Sequence, residues 1–146
     1  MMTQLTRQQL LTSLEQDWGG LISRFRDLPP TVQRAWLAEQ GYVRLGDLLA
    51  HVIAWWDEAY TAVSRLAAGQ PVAAQEYDVD AFNAAAMQRF AGNDETQIID
   101  IFEARRQRWI ALLASLPDAA LDDPEIARRL HMDLIGHFQE HLLAAG

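Results

Sequence analysis

The stretch Leu45-Gly46-Asp47-Leu48-Leu49-Ala50-His51-Val52-Ile53-Ala54-Trp55-Trp56-Asp57-Glu58-Ala59 decides the fold. Leu45, Leu48, Val52, Trp55 and Ala59 recur at steps of three and four, and Val63 and Leu66 continue the series. That period marks an amphipathic helix with one buried side. The helix is predicted to begin between Val43 and Leu45 and to stop at Gly69, just ahead of Pro71.

The same period recurs on both sides of this segment. Thr6 and Gln9 have capping-box spacing, and Leu10, Leu14, Trp18, Leu21, Ile22 and Phe25 then form a stripe that Pro29-Pro30 ends. Thr31 to Gln40 reads as a short connecting helix closed by Gly41, and Gly69 to Asp78 as a loop. A shorter helix is predicted from Asp78 to Ala91, with Phe82, Met87 and Phe90 as its apolar positions. Asn93 or Asp94 can cap a third long helix, with Ile98, Phe102, Arg105, Trp109, Leu112, Leu113 and Leu116 on its inner side. Pro117-Asp118 stops it. Asp123-Pro124 starts a last helix that runs nearly to Gly146, with proline where a missing N–H costs nothing. Convincing strands are lacking, because alternating runs are few and β-branched residues scarce. The expected fold is all-α: an antiparallel four-helix bundle with additional short helices, in one domain spanning 1–146. Its core should contain Leu14, Trp18, Ile22, Leu48, Val52, Trp55, Phe102, Trp109, Leu113, Leu130, Leu134 and Phe138.

Composition narrows the chemistry. The chain has 146 residues, no cysteine and a formal net charge of −8, and all 12 of its basic residues are arginine. Disulfides, thiol nucleophiles, thiolate zinc sites, lysine Schiff bases and P-loop lysines are therefore excluded. The acidic balance argues against a non-specific nucleic-acid binder. The first residues lack a signal-peptide pattern, and the longest apolar stretch, Leu48 to Trp56, is far short of the ~20 residues a membrane span needs. A cytoplasmic protein with no membrane or nucleic-acid partner is the expectation. Serine catalysis lacks support, since no serine sits in a G-x-S-x-G turn.

Histidines offer the most chemistry. His137 and His141 stand four apart on the last helix, ~40° apart around its axis, so both imidazoles can reach one ion. They share their side with Ile126, Leu130, Leu134 and Phe138 and so point into the bundle. His131 lies ~120° away by the same rule and should face solvent. His51 sits at the border of the second long helix's stripe, a position suited to lining a cleft. Together, His51, His137 and His141 would supply three neutral nitrogen donors for zinc or nickel. The bland alternative for each is a hydrogen-bonded core histidine. Asp47, four residues before His51, could orient its ring, or simply favour the helix dipole. Trp55 and Trp56 are either core residues or the aromatic wall of a small-molecule pocket. Arg105-Arg106-Gln107-Arg108 reads as a solvated face with only Arg105 turned inward. Asn83 shows no mechanism from spacing alone.

Three segments carry a family resemblance. Gly46-Asp47-Leu48-Leu49-Ala50-His51-Val52-Ile53-Ala54-Trp55 resembles the D-x-L-A-H-x-x-x-W segment of the DinB-like superfamily. Asp80-Ala81-Phe82-Asn83 resembles the D-x-F-N segment of its ClbS/DfsB branch, and Gly136-His137-Phe138-Gln139-Glu140-His141-Leu142 resembles the H-x-x-x-H end of the group. The resemblance spans nearly the whole chain. It implies a four-helix bundle, often a homodimer, and a three-histidine divalent metal site that would fall on His51, His137 and His141. Characterised relatives include transferases and isomerases that use low-molecular-weight thiols, and a protector against a cyclopropane-bearing genotoxin. Where the family often has aromatic-Ser-x-Lys, this chain has Tyr42-Val43-Arg44-Leu45, so the pocket mouth should differ.

Two functions follow as expectations. One is a divalent-metal-dependent enzyme, a hydrolase or thiol-dependent transferase acting on a small molecule, with Asp47 or Glu58 moving the proton and Trp55 and Trp56 holding substrate. The other is a non-catalytic binding or self-protection protein whose histidines only hydrogen-bond.

Overall fold

The capping box at Thr6 opens the first helix: the Thr6 hydroxyl accepts from the Gln9 N–H, and the Gln9 side chain accepts from the Thr6 N–H. The computed structural model describes residues 6–73 and 77–140. Segments Arg7–Thr12, Ser13–Trp18 and Gly19–Arg26 follow one another without a break as α1, the middle one π-helical. Then come α2 (Pro30–Glu39), α3 (Leu45–Ala67), α4 (Val79–Arg89), α5 (Glu95–Ser115) and α6 (Asp118–Asp122). The last helix, α7, joins Pro124–Leu130, π-helical His131–Gly136 and His137–Glu140. No strand occurs among the described residues, and no helix there is long and apolar enough to cross a membrane.

Local chemistry sets the boundaries. Asp94, rather than Asn93, caps α5 through a second capping box with Gln97. Asp123 caps α7, with Pro124 at its first position. Gly41 (φ 86°) and Gly69 (φ 75°) take the left-handed conformation that ends a helix at little cost only for glycine. The short α6, just after Pro117, is an element the sequence reading lacked.

Side-chain contacts give the directions of the four long helices. Arg7 bonds the Leu113 carbonyl, Arg106 the Leu14 carbonyl, and Trp18 packs on Phe102, so α1 and α5 are antiparallel. His51 meets His137 while Ala59 lines a cleft with Arg129, so α3 and α7 are antiparallel too. By contrast, Trp56 stacks on Phe102, Asp57 pairs with Arg105 and Tyr60 packs on Trp109, so α3 and α5 run parallel. Ser13 and Trp18 contact Leu134, and Arg24 reaches Phe138, so α1 and α7 run parallel as well. The antiparallel relation therefore holds for two of the four neighbouring pairs. Parallel neighbours need a long crossover, as in bundles whose consecutive helices do not reverse. The connection between α3 and α5 contains α4, which is laid against α3 and serves as that crossover.

At the centre Trp18 packs edge-on to Trp56 (centroids 5.0 Å apart), and Trp56 stacks on Phe102. Every residue of the expected core is buried except Trp55, which is half-buried, while Trp56 is fully buried. The two tryptophans thus exchange roles. Helix α3 is enclosed by α5, α7 and α4, so its buried arc is wider than one stripe and takes in Leu49, Ile53 and Trp56. Nor is the arginine run wholly solvated. Arg105 Nε bonds Asp57 at 2.8 Å, the Arg106 side chain is only 13% exposed, and Arg108 lies over the Tyr60 ring.

The π-helical turns face one another across α1 and α7. A π-turn leaves carbonyls without their usual i+4 partner. Side chains add bonds to them here: the Leu134 carbonyl accepts from Trp18 Nε1 at 2.8 Å and Ser13 Oγ at 3.3 Å, and the Leu14 carbonyl accepts from Arg106 Nη1 at 3.2 Å as well as from the Gly19 N–H. The turn in α7 ends where the His137 N–H reaches back to the Met132 carbonyl, immediately before the candidate ligand.

Candidate functional site

Helix α3 turns His51, Trp55, Glu58 and Ala59 toward α7, at the i, i+4, i+7, i+8 spacing of one helical face. Helix α7 brings Arg129, Met132, Asp133 and His137, and the crossover adds Tyr77 and Val79. These ten side chains enclose a cleft of about 300 Å³. Its deep end holds His51 and His137, both 8% exposed. Their rings lie nearly perpendicular, at 86°, with Nε2 facing Nε2 at 2.9 Å. Two lone pairs repel at that distance unless a proton or a cation lies between them. Ligand nitrogens ~2.0–2.1 Å from one ion at octahedral or tetrahedral angles are themselves about 2.9–3.4 Å apart. The 2.9 Å separation is that of an N–H···N hydrogen bond and also that of two ligand nitrogens at about 90° on one ion.

His51 is held from behind. Its Nδ1 lies 2.9 Å from Asn83 Oδ1, and the same oxygen accepts from Trp55 Nε1 at 2.9 Å. Burial lowers the His51 pKa below the ordinary histidine value, against an opposing effect of the Asn83 hydrogen bond. Phe82, the residue before Asn83, lies over Trp55 with centroids 4.0 Å apart. The Phe82-Asn83 pair thus grips the cleft wall, whereas Asp80 of the same segment is exposed.

The expected site residues within the described chain can each be placed. His137 joins His51, and His131 is exposed. His141 lies outside the described residues, and no group of three metal-binding side chains forms among those described. Glu58 lines the cleft and accepts a hydrogen bond from the Tyr77 hydroxyl. Desolvation, then the bond to Glu58, pushes Tyr77 up to about 12, so it stays a donor at neutral pH. Asp47 does not orient His51: its carboxylate accepts from Arg44 Nε at 2.9 Å, one turn away, and Asn83 takes the orienting role. Trp55 forms a wall of the cleft, but Trp56 points into the core and does not line it. Asn83, Tyr77, Asp133 and Arg129 are site residues the sequence reading did not find. For Asn83 and Tyr77 the obstacle is the crossover, whose path no local pattern encodes.

This placement of a histidine pair between α3 and α7 accompanies a family match that covers residues 13–142 and is described as the DinB superfamily. The chain belongs to the DinB superfamily. No curated protein and no solved structure matches it. The all-helical bundle is consistent with DinB superfamily membership. It leaves the chemistry to be argued from the cleft.

Proposed function

We propose that this chain is a divalent-metal-dependent enzyme acting on a small molecule, with zinc or nickel held by His51, His137 and His141. The observation that carries the reading is the 2.9 Å approach of two buried imidazole nitrogens from different helices at the floor of a cleft. When bound, the ion supplies Lewis acidity toward a water or a substrate heteroatom. A thiol, if one takes part, arrives as cosubstrate, since the chain has no cysteine.

The remaining roles belong to the chain's own side chains. Glu58 is the better placed of the two expected carboxylates, because Asp47 is engaged by Arg44. Glu58 accepts the proton that the reacting group gives up, and Tyr77 steadies it by donating its hydroxyl hydrogen. Trp55, Val79 and Met132 give the cleft an apolar wall that takes the non-reacting part of the substrate. The Asp80 to Asn83 segment supports the ClbS/DfsB branch, and the meeting of His51 with His137 supports its metal-binding relatives as the guide to chemistry. The homodimer implied by the resemblance belongs to the same proposal.

Metal content tests the reading. Protein purified without a histidine tag and dialysed against zinc or nickel is expected to retain one ion per chain. His137→Ala should lose it, and His131→Ala should keep it. Wild-type protein that retains neither metal overturns the proposal. The half-buried Trp55 at the wall favours one alternative, a non-catalytic binding protein whose histidines only hydrogen-bond. Ligand quenching of tryptophan fluorescence that a chelator leaves unchanged is its signature.

A further inference from the structure

We propose that Asn83, itself oriented by Trp55, is a positioning residue that fixes His51 as the Nδ1-protonated tautomer and turns its Nε2 lone pair toward His137. The consequence for metal binding rests on the function proposed above. The tautomer itself follows from hydrogen-bond chemistry alone.

An indole N–H can only donate. Trp55 Nε1 lies 2.9 Å from the Asn83 side chain, so the end of the amide facing it is the carbonyl oxygen. That same oxygen lies 2.9 Å from His51 Nδ1. A carbonyl oxygen has two lone pairs and no hydrogen to give, so it accepts from both neighbours. Nδ1 of His51 therefore carries the proton. A neutral imidazole has one N–H, which leaves Nε2 as the lone-pair nitrogen, and burial favours the neutral ring.

The two histidines then differ in kind. Without an ion, Nε2 of His137 must be the N–H donor across the 2.9 Å gap. With one, His137 has to carry its proton on Nδ1 instead, so that both Nε2 lone pairs converge. His51 is preset and His137 adapts. Ligating histidines are commonly held in this way by an oxygen on the far nitrogen. In this chain that oxygen comes from α4, so the crossover between two parallel helices also sets the tautomer of a residue on α3.

Imidazole 15N spectra, recorded at about pH 8 where the rings are neutral, read the tautomer directly. Wild-type His51 should show a protonated Nδ1 and a lone-pair Nε2. Asn83→Leu removes the acceptor and should give a mixture of tautomers, with zinc affinity down about 10–100-fold. Asn83→Asp restores an oxygen acceptor and should rescue both readouts. Trp55→Phe frees the amide to flip, so the Nε2-protonated form should become populated. The wild-type spectrum needs no substitution, and with Trp55→Phe it decides the matter even where Asn83→Leu does not fold. A wild-type His51 protonated on Nε2, or an Asn83→Leu spectrum identical to wild type, overturns the proposal. Wild-type protein that binds neither zinc nor nickel removes the metal reading, while the spectra still judge the tautomer.

Discussion

Adjacent residues on α3 do opposite work. Trp56 is fully buried between Trp18 and Phe102, whereas Trp55 is half-buried at the cleft. Trp56→Ala should cost about 3–5 kcal/mol in a denaturant titration, the range for emptying a large aromatic site. Trp55→Ala should cost clearly less in the same titration while altering the cleft. Equal costs would contradict the assignment. The His51 pKa also has a readable consequence. Burial lowers it, so the folded state favours the neutral ring. This histidine contributes stability above its ordinary value of about 6.5, and that contribution is lost as pH falls through the lower folded value. An NMR titration should place its midpoint below the ordinary value of about 6.5; a midpoint above that value would contradict the burial.

At the scale of elements, what was legible in the sequence was what depends on a few neighbouring residues. Thr6 with Gln9, Asp123 with Pro124, and the glycines at 41 and 69 announce their helix ends because caps and left-handed turns are local chemistry. His51 and His137 were legible as candidates because helical periodicity fixes which side of its own helix each occupies. The π-turns were not. Their residues read as ordinary helix, and the side chains that bond their carbonyls come from other helices: Trp18 and Ser13 for Leu134, Arg106 for Leu14. Asn83 was hidden for the same reason, since its partners lie on α3. The α7 turn yields a prediction. Trp18→Phe removes the shorter of the two bonds to the Leu134 carbonyl, a hydrogen-bond loss of about 0.5–1.5 kcal/mol because Ser13 keeps the carbonyl partnered. It should also weaken zinc binding, because His137 follows that turn directly. A stability loss with unchanged zinc affinity would show that the turn braces the bundle without positioning the ligand.

For the whole molecule, all-α packing could be read from periodicity, but helix direction could not. A stripe of apolar residues says that a helix packs and is silent on which way its neighbour runs. If the metal reading holds, zinc or nickel at one hundred times its dissociation constant should raise unfolding stability by about 2.7 kcal/mol, with a chelator reversing the gain. An unchanged unfolding curve at that concentration contradicts the reading. The parallel pairing of α3 with α5 and of α1 with α7 has a consequence in time. Asp57 and Arg105 are 48 residues apart along the chain, His51 and His137 are 86 apart, and Ser13 and Leu134 are 121 apart. Contacts between such distant positions slow folding, whereas individual helices form within microseconds. The chain therefore cannot assemble by zipping up successive hairpins. Its histidine pair comes together only when the final helix docks against α3, so zinc capture during refolding should lag behind the recovery of helical circular dichroism and mark the moment of closure.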